Sequence, residues 1–281
     1  MNHLLKNCLI LVLTFSAVPV FSATQKGKYF DRAIFVLFEN TTYNITMRQP
    51  FFAKLAKHGA LFSNLTAHAH HSQPNYIALT SGSMLGVTDN QNVNLDKKNV
   101  VDLLEARGIS WKVYAEDYPG NCFTGGSHRG YARKHNPFIS YVNIQKNPKR
   151  CKNIVNATQF DKDAASGSLP EYVFYVPNDK NSGHDTGVAY ADKWYSGKFS
   201  KYISNPKFMK DTILISTFDE SSGGAKRNHI YTSIVGTAVT PGVFATELNL
   251  YSLLKLVEDN WSLGNLGRND ETAAAVPDIW K

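Results

Sequence analysis

His71-Ser72-Gln73-Pro74-Asn75-Tyr76 places a hydroxyl nucleophile where a strand-like run gives way to a helix-like one. Gly59 to Thr66 is short, largely apolar and alternating, as a strand should be, and Pro74 to Leu79 opens a helix with proline in its first turn. Ser72 is then expected at the N-cap. A capping hydroxyl satisfies one orphan backbone N–H and contributes about 1 kcal/mol. The same geometry is an anion site, because free N–H groups and the positive end of the helix dipole point beyond the cap, where a phosphate or a serine alkoxide is stabilised. Partners elsewhere in the chain have to decide between a cap and a nucleophile.

Those partners sit at the ends of predicted strands. Ala33 to Phe38 is a continuous apolar run, as in a strand buried on both faces, and ends in Glu39-Asn40. Trp111 to Ala115, Tyr172 to Val176, Thr212 to Phe218 and Ile230 to Val235 read as further strands. Helices are expected over Pro50 to His58, Val100 to Arg107, Tyr190 to Tyr202 and Glu247 to Asn260. Strands separated by helices imply an α/β fold with a mostly parallel central sheet sandwiched by helices. Ligands collect beyond the carboxyl ends of such strands. Glu39-Asn40, Ser72, Asn178 to Asp185 and Asp219-Glu220 all follow strand ends.

Glu39, Asp219 and Glu220 form a hard-ligand set that would hold one divalent ion against the Ser72 oxygen and make it nucleophilic. Asp179, Asn181, His184, Asp185 and His229 would hold a second ion near the leaving oxygen, clamping an in-line phosphoryl displacement. Taken alone, Asp219-Glu220 also reads as a turn that ends a strand, and His229 as a structural histidine. His58, His68 and His70 lack a second element to complete a ligand set, and no metal role is assigned to them.

Composition bounds the rest. Lys6, the apolar run from Cys8 to Leu13 and the small residues at Ser22-Ala23 read as a cleaved signal peptide over residues 1–23, leaving 24–281 as one catalytic domain. The apolar run is broken by Thr14, Ser16 and Pro19, too short for a transmembrane anchor. Export to the periplasm or the medium is therefore expected. Of three cysteines, Cys8 leaves with the signal, and Cys122 and Cys151 most simply form one disulfide, worth about 3 kcal/mol on the chain-entropy model. It would pin the turn-rich excursion from Asp117 to Pro148, whose Tyr118, Phe123, Tyr131, Phe138 and Tyr141 offer an apolar surface for a lipid. The formal charge is +7, yet the densest basic cluster, Lys146, Lys149, Arg150 and Lys152, lacks interleaved aromatics, so no nucleic-acid partner is expected.

Phe35 to Asn40, His71 to Tyr76, Tyr114 to Asp117, Lys134 to Phe138, Pro177 to Asp185 and Ser216 to Glu220 together resemble the phosphoesterase family of acid phosphatases and phospholipases C, within the alkaline phosphatase superfamily. The resemblance implies an alkaline-phosphatase-like fold and a divalent metal cofactor, one or two ions of Zn, Mg, Mn or Ca. It places the nucleophile on Ser72, followed by the x-Pro-Asn that ends at Asn75. The metal-binding carboxylate falls on Glu39 with Asn40 beside it, the late pair on Asp219 and Glu220, and a phosphoryl-contacting asparagine on Asn90. His135, His184, Asp185 and His229 take the remaining active-site positions, and His135 or His184 would protonate the leaving group. Ser182 stands where many relatives carry an aspartate, so the second metal site departs from the family pattern. The implied substrate is a phosphate monoester, with phospholipid headgroups as the alternative. A non-enzymatic exported protein that binds polyanions or a receptor is the reading from another class.

Overall fold

The structure, a computed structural model, describes residues 26–223, 225 and 227–281. The expected signal peptide, residues 1–23, lies outside the described residues. The sheet strands in chain order are β1 Arg32–Phe38, β2 Ala60–Phe62, β3 Trp111–Ala115, β4 Ile154–Asn156, β5 Tyr172–Val176, β6 Thr212–Phe218, β7 Thr232–Gly236 and β8 Gly242–Phe244. The main helices are α1 Pro50–His58, α2 Ser72–Ser81, α3 Val100–Ala106, α4 Thr158–Ser166, α5 Val188–Ile203 and α6 Leu250–Trp261.

The eight strands form one sheet in the order β8-β2-β7-β6-β1-β5-β3-β4. β1 lies at its centre, parallel to β5 and β6, and only β7 runs against its neighbours. Every residue of β1 from Ala33 to Phe38 is buried, so both faces of the central strand are covered by the flanking helices, as its unbroken apolar run requires. The expected second strand is shorter than its sequence pattern: β2 stops at Phe62, and Leu65–Thr66 pairs instead with Leu248–Asn249 in a separate two-stranded sheet.

Helix α2 is buried along its whole length, which is unusual for a helix and marks it as part of the core. Cys122 and Cys151 are joined, with Cα atoms 5.5 Å apart. The bridge closes an excursion that holds its own short hairpin and 3-10 turns. Of its aromatic residues Tyr118, Tyr131, Phe138 and Tyr141 are buried, leaving the half-buried Phe123 as the one of the five that could face a lipid.

Helix α6 packs against α2 and carries Glu258, only 2% exposed. Burial, then the neighbouring charge of Asp270, push its carboxyl up to about 9. Lys255 opposes the shift and Asp259 adds to it. A glutamate in the unfolded chain titrates near 4.3. Across that interval the folded chain retains a proton the unfolded chain has lost. This contribution to stability is therefore complete below about 4.3 and is lost as pH rises through about 9. Glu258→Gln is expected to raise the melting temperature at pH 8 and leave it nearly unchanged at pH 4. Equal shifts at both pH values would contradict the assignment.

Candidate active site

Register alone brings the first two carboxylates together. β1 and β6 pair with Phe38 opposite Phe218, so the residues that follow, Glu39 and Asp219, emerge side by side from the same sheet edge. The Asp219 N–H donates to the Phe38 carbonyl at 3.0 Å, and the Asn40 N–H to Asp219 Oδ1 at 3.4 Å. Asn40 turns the chain with φ +51°, a left-handed conformation that asparagine tolerates. The loop after β5 closes the edge, since the Glu39 N–H donates to the Ser182 carbonyl at 3.1 Å.

Ser72 is the first residue of α2, with His71 at the N-cap, and its hydroxyl makes no capping hydrogen bond. It donates instead to Glu39 Oε2 at 3.0 Å and lies 3.4 Å from Glu220 Oε1. One turn further along the same helix face, the Tyr76 hydroxyl donates to Glu39 Oε1 at 2.5 Å. Ser72, Glu39 and Asp219 are each no more than 1% exposed.

The buried His135 pairs on one side with Glu39 Oε1 at 3.2 Å and on the other with Asp179 Oδ1 at 3.3 Å. Burial disfavours its charge, but Glu39 and Asp179 overcome this and raise its pKa. Burial likewise raises Glu39, but His135, Tyr76 and Lys134 outweigh it and hold the carboxyl at about 2. Asp219 goes the other way: burial, then the charges of Glu39 and Glu220, push it well above the usual carboxylate range. Glu220 is also raised, by burial first, against the pull of His70, whose Nδ1 lies 3.0 Å from Glu220 Oε2.

The structure brings together Ser72, Glu39, Asn40, Asp219, Glu220 and His135. Asn90 joins them at the start of α2, where its Oδ1 accepts the Gln73 N–H at 3.0 Å. His184 stands 5.7 Å from His135 between ring centroids and pairs with Asp185 at 2.8 Å, so Asp185 points away from the carboxylate trio and into solvent.

Three expected residues belong elsewhere. Asn75 does not face a substrate: its Oδ1 accepts the His68 and Ala69 N–H groups and its amide donates to the Ala69 and His71 carbonyls, shaping the loop that delivers Ser72. His229 is not with the carboxylates either. Its Nε2 faces the Ser63 carbonyl at 3.0 Å and its ring stacks on Tyr43. Asn181, expected near a second ion, donates to Glu116 at 2.6 Å and braces the 178–185 loop. Conversely, His70, Tyr76 and Lys134 belong to the site although sequence reasoning assigned them nothing. Tyr76 lies at i+4 from Ser72 on one helix, the signal that would have found it.

Among the described residues no three His, Cys, Asp or Glu side chains form a ready metal-binding group. The oxygen set at Ser72 nevertheless fits a hard divalent cation once Asn40 and the serine are included. Asn40 Oδ1 and Asp219 Oδ2 are buried without a hydrogen-bond partner, and the Glu39, Asp219 and Glu220 carboxylates repel one another. A cation satisfies those oxygens and removes the repulsion.

A mostly parallel sheet sandwiched by helices, with a buried serine and carboxylates beyond its carboxyl ends, gives the chain an α/β fold similar to that of alkaline phosphatase superfamily members. A member of that superfamily from Vibrio parahaemolyticus superposes with a TM-score of 0.62 over 90% of this chain and 72% of the other, at 16% identity. The chain belongs to the phosphoesterase family, whose model matches residues 41–264. A probable acid phosphatase from Kluyveromyces lactis is 34% identical, covering 88% of this chain and 62% of its own. A phosphatidylinositol-3-phosphatase from Mycobacterium tuberculosis is 32% identical, covering 82% and 75% respectively. The chain thus spans about three fifths of the length of the acid phosphatases it resembles.

Proposed function

We propose that the chain is an exported phosphoesterase that hydrolyses phosphate monoesters through Ser72, with a divalent cation held by Glu39, Asn40, Asp219 and Glu220. The observation that carries this reading is the Ser72 hydroxyl, which donates to Glu39 at 3.0 Å while Asn90 takes the Gln73 N–H at the helix start. When bound, the cation lowers the pKa of the serine hydroxyl and offsets charge on the phosphoryl oxygens.

The chain's own groups supply the rest. Ser72 Oγ forms the bond to phosphorus as its proton passes to the carboxylate it already faces, and the bond to the leaving oxygen breaks. His135, kept protonated between Glu39 and Asp179, gives that oxygen its proton. Water then attacks phosphorus and gives a proton back to His135, the bond to Ser72 Oγ breaks as the serine recovers its proton from Glu39, and phosphate is released. The acid phosphatase relatives support the monoester, and the burial of Tyr118, Tyr131, Phe138 and Tyr141 leaves little apolar surface on the excursion for a phospholipid.

The test uses protein purified without chelator and a panel of a nucleoside monophosphate, a bis-ester and phosphatidylcholine. Monoester turnover is expected to dominate, to vanish on chelation and to return with one of Mg, Mn, Ca or Zn. Turnover that survives exhaustive chelation would remove the cation from the reading.

A further inference from the structure

Lys134 takes no part in the steps above, yet it is the best-placed spare cation of the site. It sits half-buried on a 3-10 turn, Arg133–His135, that is fixed on both sides. Arg133, 3% exposed, donates to the Thr124 and Val93 carbonyls at 2.5 Å each, and His135 is locked between Glu39 and Asp179. Between these anchors Lys134 Nζ lies 2.9 Å from His184 Nε2. An ammonium only donates, so the contact assigns a lone pair to His184 Nε2 and the ring proton to Nδ1, which faces Asp185. The contact to His184 leaves the Lys134 charge without a carboxylate partner. That charge acts on both Glu39 and His135.

His135 lies between Glu39 and Asp179, and His70 against Glu220. Lys134 forms no ion pair among the described residues, and one of its three N–H groups serves His184. We propose that Lys134 selects monoesters over diesters by donating to the third non-bridging phosphoryl oxygen, which carries charge in a monoester dianion and is esterified in a diester. A monoester brings about −1.5 to −2 charges and three acceptor oxygens at pH 7. A diester brings one charge and two such oxygens, and has nothing to offer Lys134. Beside three carboxylates the additional charge of the monoester needs an additional cation, and Lys134 neighbours His135, which faces Glu39.

This inference rests on hydrolysis at Ser72, and the test separates the two. Wild type, Lys134→Met, Lys134→Gln and Lys134→Arg are assayed at pH 7 with 4-nitrophenyl phosphate and bis(4-nitrophenyl) phosphate. The Met and Gln variants are expected to lower the monoester-to-diester ratio of kcat/KM by roughly 10- to 100-fold, the worth of one charge-assisted hydrogen bond. Competitive inhibition by inorganic phosphate should weaken in parallel, and Arg should restore part of both. Equal losses on the two esters would make Lys134 a support for His184 and overturn the proposal, as would an unaltered ratio in an active protein. A wild type inactive on both esters would instead overturn the proposed function.

Discussion

Ser72→Ala is expected to lower kcat on a chromogenic phosphate monoester by at least about a thousandfold, the scale on which loss of a covalent nucleophile is felt. The fold should not suffer. Its described partners are the Glu39, Glu220 and Asp219 carboxylates, so the start of α2 keeps its backbone bonds. A melting temperature close to that of the wild type is the accompanying result. Acid-quenching the wild type during turnover should trap phosphate on Ser72, and the variant should trap none. Undiminished turnover in Ser72→Ala would remove the nucleophile assignment.

Glu39→Gln has the second-largest expected effect because three groups converge on this one carboxylate. Tyr76 and Ser72 donate to it, and His135 pairs with it. The amide keeps the shape and removes the charge, so His135 loses one of the two carboxylates that keep it protonated. Activity should fall by about two to three orders of magnitude, since proton acceptance, His135 and cation binding are all weakened. Stability should fall as well, by about 3 kcal/mol, as for breaking a buried ion pair from one side. Glu39 titrates at about 2 in the fold, so its contribution is present above the ordinary carboxylate value and lost only as pH falls towards 2. The stability gap between wild type and variant should therefore be constant from pH 5 to 7 and close below pH 4. Denaturant melts across that range, with calorimetric titration of Mn, check both statements.

Much of this was legible in the chain. β1 from Ala33 is an unbroken apolar run, β6 a strand-like run with small hydroxyl residues, both end in carboxylates, and no helix amphipathicity competes with that reading. β4 and β8 hold three residues each, too few for any period to emerge, and the reversed direction of β7 leaves no trace in composition. The site divides along the same line. Glu39, Ser72, Asp219 and Glu220 sit at element ends, where sequence order predicts position. His70 was set aside because its partner, Glu220, is remote in sequence and meets it only through the fold. Asn75 and His229 have residue types suited to a site, but neighbouring backbone N–H and C=O groups claim them first, a competition the sequence does not display.

The bridge between Cys122 and Cys151 spans the turn that carries Lys134 and His135. Everything that reaches Glu39 from that side of the molecule is strung on one tethered segment. In a reducing cytosol the tether is open, and bringing His135 to Glu39 has to overcome the freedom of an unclosed loop. On the proposed export, oxidation would complete the His135 side of the site only after the chain has left the cytosol.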